Sequence, residues 1–135
     1  MSKLSCECGN TISDSTDNIP YKARFIRDED YHLKDKTLID ICSFIEAYKN
    51  GEKENWIRNY FGNDADVNIR NEWILIHIEM KNELNIEDVI YQCEECGRIK
   101  IETRNENNFA SFIPENGNWK DILNGKLNSV TENKK

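Results

Sequence analysis

Cys6-Glu7-Cys8-Gly9, close to the start of the 135-residue chain, and Cys93-Glu94-Glu95-Cys96-Gly97, two-thirds of the way along, are the stretches whose reading decides the fold. Each is a pair of thiols followed at once by glycine. Val89-Ile90-Tyr91-Gln92 runs into the second pair and Arg98-Ile99-Lys100-Ile101 runs out of it, both with strand character. This is the pattern of a zinc knuckle, a tight turn that aims two sulfurs at one metal ion while glycine supplies the positive-φ residue that closes the turn. Two knuckles supply four thiolates, the full complement of a closed structural zinc site. The metal-ligand set is therefore Cys6, Cys8, Cys93 and Cys96. The first pair has one intervening residue instead of the usual two. Completion of the site by Cys42 or His32 stays open for that reason, as does a metal-free turn.

Working outward, the second arm of the first hairpin is Asn10-Thr11-Ile12, followed by a polar turn over residues 13–20. Tyr21 to Arg27 alternates apolar and polar residues and predicts a strand. Asp28-Glu29-Asp30 reads as a solvated acidic turn, since it lacks the glycine-centred spacing of a calcium loop. Leu38, Ile41, Cys42, Ile45 and Tyr48 recur at three- and four-residue intervals, which predicts a helix over about 35–50 with this stripe as its apolar face and Gly51 as its stop. A shorter helix carries Trp56, Ile57, Tyr60 and Phe61 and ends at Gly62. Residues 69–80 mix period-two and helical spacings; the polar approach Asn63-Asp64-Ala65-Asp66 resembles a helix start, and helix is the reading because a long insertion in a knuckle domain usually folds as a compact subdomain. Phe109 to Ile113 predicts a last strand before Pro114, and residues 124–135 read as a frayed tail.

The expected architecture is α+β and a single domain. Zinc-ribbon-like hairpin knuckles from both ends (about 3–14 and 89–103) meet, with a mainly helical insertion (about 35–88) between them. Five cysteines, an odd number, weigh against a disulfide framework and favour metal in a reducing, cytoplasmic setting. No apolar run approaches a membrane span, and the first residues have no secretory pattern. The net charge of −7, from 25 acidic and 18 basic side chains, suits a basic partner better than a nucleic acid. Phosphate-binding loops, nucleophile elbows, HExxH and the histidine-glutamate pair of zinc deaminases are all missing, so the chain does not read as an enzyme.

Beyond the knuckles, Thr16-Asp17 and Pro20-Tyr21-Lys22-Ala23 follow the first cysteine pair, and Tyr91-Gln92-Cys93-Glu94-Glu95-Cys96-Gly97-Arg98 frames the second. With Phe112-Ile113-Pro114-Glu115 and Asp121-Ile122-Leu123, these stretches resemble small bacterial proteins of the immunity type, encoded beside polymorphic or contact-dependent toxins. The likeness covers about half the chain and leaves the helical middle out. It implies a non-enzymatic inhibitor that neutralises a basic toxin, with a nuclease as the expected target. Candidate contacts are the carboxylates Asp28, Glu29, Asp30, Asp64, Asp66, Glu83, Glu87 and Asp88, with Trp56 or Tyr60 as aromatic anchors. The alternative is a zinc-ribbon adaptor for nucleic acid or the transcription or translation machinery, using Lys22, Arg24, Arg27, Arg98, Lys100 and Arg104.

Overall fold

The structure is a computed structural model that describes residues 3–83, 85–105 and 107–127. Among the described residues it is α+β, with two small sheets and the three α-helices Lys34–Lys49, Lys53–Phe61 and Asn71–Glu83. Two compact units divide it: one of Met1–Phe25 with Asp88–Lys135, the other of Ile26–Glu87.

In the first unit, β1 (Lys3–Ser5) and β2 (Thr11–Ser13) form an antiparallel hairpin in the register Leu4 opposite Ile12. Its turn is the first cysteine pair. Cys6 N–H donates to Asn10 O at 2.9 Å and Gly9 N–H to Cys6 O at 3.0 Å, with Gly9 at φ +98°. The second sheet has the order β3 (Lys22–Ile26), β4 (Glu87–Gln92), β5 (Ile99–Glu102), β6 (Phe109–Phe112). β4 and β5 are antiparallel with Tyr91 opposite Lys100, and the second cysteine pair is the turn joining them. There Cys93 N–H donates to Arg98 O and Gly97 N–H to Cys93 O, both at 2.9 Å. The two turns therefore share one bonding scheme despite the missing residue in the first.

Cys6, Ile12, Tyr91 and Cys93 are the buried centre of this unit, with Leu4, Tyr21, Val89, Cys96 and Phe109 around them. Half of that buried centre is thiol. The apolar core is small for a unit of this length, and a metal bridge would supply what burial does not. One polar cluster ties the hairpin to the larger sheet: Asp14 takes the Lys22 ammonium at 2.6 Å and also the Tyr91 hydroxyl. Beside it, Tyr21 O–H donates to Ser13 O at 2.5 Å.

The second unit holds α1 (Lys34–Lys49), α2 (Lys53–Phe61) and α3 (Asn71–Glu83), preceded by a 3-10 turn over Asp28–Leu33. The acidic turn expected at Asp28-Glu29-Asp30 lies in this 3-10 turn, with Asp28 and Glu29 exposed, and α3 takes the place of the strand alternative for 69–80. Gly51 at φ +74° and Gly62 at φ +113° follow the ends of α1 and α2, as their positions in the sequence predict. Phe44, Ile57, Ile74 and Ile78 are buried together, with Trp56, Tyr60 and Phe61 packed on them. Trp56 stacks on Tyr60 with centroids 4.6 Å apart and meets Phe44 edge-on at 5.0 Å.

The predicted apolar stripe of α1 is displaced. Phe44 is its buried residue, while Leu38 is 64% exposed and Tyr48 54%, and Cys42 is exposed instead of being a small core residue. Period counting locates a helix but weighs every apolar side chain equally; one phenylalanine facing two isoleucines of α3 sets the rotation here. Of the tail expected to fray, residue 124 is a bend and residues 126–127 are helical; residues 128–135 lie outside the described residues. No helix among the described residues is long and apolar enough to cross a membrane.

Candidate metal centre

The two turns bring their sulfurs together. The Sγ atoms of Cys6, Cys8, Cys93 and Cys96 all lie within 4.8 Å of one another, with Cys6 to Cys96 and Cys8 to Cys93 each at 3.5 Å. A tetrahedral tetrathiolate with metal–sulfur bonds of ~2.3 Å has edges of about 3.8 Å, so the cluster has the size of such a shell. The four cysteines can therefore hold a metal ion. Cys42 is exposed on α1, and neither it nor His32 belongs to the cluster.

Sulfur electrostatics differ between the two turns. At Cys96, burial disfavours the thiolate, but the Arg98 amide and guanidinium (Nη1 at 3.3 Å) outweigh it and bring the thiol down to about 6. Burial opposes ionisation of Cys93 as well; the Cys96 amide, the Asn10 side-chain amide (3.4 Å) and the Glu95 amide lower it on balance. Burial pushes Cys6 up, only partly countered by the Cys8 amide. Cys8 is helped by the Asn10 amide, yet burial and the thiols of Cys93, Cys96 and Cys6 push it up to about 12. Ionisation of sulfur is thus favoured more in the second turn than in the first.

Around the sulfurs, Lys100 has a place other than the basic face expected of it, and the roles of Glu7, Ser111 and Trp119 are not legible in the sequence. Lys100 is 2% exposed, and its ammonium pairs with Glu7, the residue between the first two cysteines, while donating to Ser111 Oγ at 2.6 Å. Ser111 Oγ donates in turn to Glu7 Oε1 at 3.2 Å. The Lys100 contact, the Glu7 amide and Ser111 hold the Glu7 carboxyl down at about 2. Trp119 lies against Gly97 so closely that a Cβ there would come within 2.4 Å of the ring, and Gln92 Nε2 donates to the carbonyls of both residues. The alternation Ile99-Lys100-Ile101 marks Lys100 as a sheet-face residue, but nothing near it in sequence predicts a carboxylate arriving from position 7.

The proposed contact residues are spread out. Asp28 and Glu29 are exposed and Asp30 half-buried in the 3-10 turn, Asp64 and Asp66 are exposed ahead of α3, and Glu83 is half-buried at the α3 end. Glu87 and Asp88 open β4. Burial raises Glu83, and repulsion from Glu79 and Glu87 adds to the shift. Trp56 and Tyr60 are not free anchors: Trp56 Nε1 donates to Ser43 Oγ at 2.9 Å and the Tyr60 hydroxyl to Asp40 at 2.5 Å. Trp73 on α3 is 51% exposed, Tyr31 58% and Tyr48 54%.

A family model covers residues 2–116, both cysteine turns included. The chain belongs to the family described as Domain of unknown function (DUF8617). That match spans the helical unit as well as the cysteine-bearing one, so this DUF8617 member carries its insertion as part of the family's own extent. No curated protein and no solved structure matches the chain.

Proposed function

We propose that this is a non-enzymatic, immunity-type protein that binds and neutralises a basic cognate toxin, a nuclease being the expected target, and that its cysteine-bearing unit is a zinc ribbon. Zinc is the metal favoured by four thiolates at tetrahedral spacing, and a shell of four sulfurs leaves no position open for water or substrate. The metal then acts as a staple, and function falls to the rest of the surface. The observation that carries the partner reading is the distribution of charge. Of the net −7, the unit Ile26–Glu87 holds −6, from 14 carboxylates against 8 lysines and arginines. A helical unit with that field attracts a basic protein and repels nucleic acid. The adaptor reading has less support, because Lys22 is paired with Asp14, Lys100 with Glu7, and Arg98 with the Cys96 sulfur.

The test is capture of the tagged chain from a nuclease-treated native lysate, followed by expression of the captured protein alone and with the chain. A stoichiometric basic protein that stops growth alone and is silenced by co-expression is the expected result. Nucleic acid, polymerase or ribosomal components lost on nuclease treatment overturn the reading in favour of the adaptor.

A further inference from the structure

Helix α3 is apolar on opposite sides. Ile74 and Ile78 are fully buried in the helical core, yet Trp73, Ile76 and Met80, at one helical repeat, are 51%, 44% and 49% exposed. A surface helix of a soluble unit ordinarily keeps polar residues on that outer side, and a row headed by tryptophan is the composition of a contact surface. Glu72, Glu79 and Glu83, also at helical repeat, line one flank of the row. On the other side is His77, which borders an apolar notch of about 160 Å³ floored by Ile57, Phe61 and Ile69 with Asp66 at its rim. That is the size of cavity that accepts a single ring, and is too small for a small-molecule site of ~300–1,000 Å³. Arg70 is paired with Glu72 at 2.9 Å, and Lys81 lies over the Tyr60 ring and donates to the Tyr60 carbonyl, so both of these cations are engaged within the unit.

We infer that the Trp73–Ile76–Met80 face of α3 docks a basic segment of a partner protein, which seats one apolar side chain in the notch and sets lysines or arginines against Glu79 and Glu83. This deepens the basic-partner reading above and rests on it. Charge selects this occupant. A second copy would bring another unit of −6 against the first, and three half-exposed side chains with a one-residue notch fall short of the ~800 Å² per partner of a stable dimer.

The experiment selects binders to the full chain from a phage-displayed library of random peptides, then measures synthetic peptides by fluorescence anisotropy. Binders that combine an aromatic or branched apolar residue with lysine or arginine are expected. Trp73→Glu and Met80→Glu should each weaken them about tenfold or more, with unchanged circular dichroism and thermal midpoint. Phe112→Glu, on the exposed end of β6, should leave them unaffected, and added salt should weaken all of them. Binders that are acidic, or that ignore both α3 substitutions, overturn the assignment; so does self-association in sedimentation equilibrium that Trp73→Glu abolishes. If α3 binders behave as expected while the captured protein proves harmless, the toxin reading falls and the docking face stands. A toxin bound equally well by Trp73→Glu gives the reverse.

Discussion

Gly97 shows how one residue can serve two constraints. Its φ of +79° suits glycine, and the face where a Cβ would project is occupied by the Trp119 ring. Gly9 has the same backbone requirement at φ +98° but open space around it. Gly97→Ala should therefore cost ~2–4 kcal/mol, the sum of left-handed strain and overpacking, against ~1–2 kcal/mol for Gly9→Ala. Thermal midpoints of the two variants check the difference; equal losses would mean that Trp119 is not held on the turn. Lys100 and Glu7 illustrate the same lesson electrostatically. The buried ammonium is tolerable because a carboxylate 93 positions earlier in the chain meets it.

At the level of the element, α1 is joined to α2 and α3 by one carboxylate. Asp40 accepts from the Lys36 ammonium at 2.8 Å, the Tyr60 hydroxyl at 2.5 Å and Asn82 Nδ2 at 3.1 Å. Burial alone would raise its pKa, but these three bonds reverse the sign and lower it. A depressed folded-state value means that the stabilisation is complete above the unfolded aspartate value of ~3.9 and is lost as pH falls through the lower folded value. Asp40→Asn keeps the shape and removes the charge, so it should cost ~1–3 kcal/mol at neutral pH and less as the solution is acidified below about 4. Denaturant titrations of both proteins across that range measure it, and a pH-independent difference would contradict the account. α3 makes a second point at this scale. Its sequence is apolar on two sides, so periodicity could not say which side meets the core; the buried pair turned out to be Ile74 and Ile78, leaving Trp73 outside.

For the whole molecule, two cores of different kinds share one chain: a thiol-rich centre in the β unit and an aromatic and aliphatic one in the helical unit. Chelation should therefore act unevenly. Removing metal, or Cys93→Ser, should destabilise the β unit by more than ~3 kcal/mol, because metal binding energy is folding energy in such sites. At about 4–8 °C per kcal/mol, the loss moves its midpoint by more than ~12 °C. The helical signal at 222 nm should persist to higher temperature. A single transition unmoved by chelator would remove the metal from the account. Residue order alone was enough to give the α+β class, the four clustered cysteines, the helical insertion and the glycines that end α1 and α2, because these depend on local spacing and backbone freedom. Tertiary structure alone decided that Phe44 and not Leu38 faces the core, that Lys100 is buried against Glu7, that Trp119 closes over Gly97, and that Trp73 is left outside. Each of those depends on a group distant in sequence, and which side chain wins a place in a core is settled only when the competing elements pack.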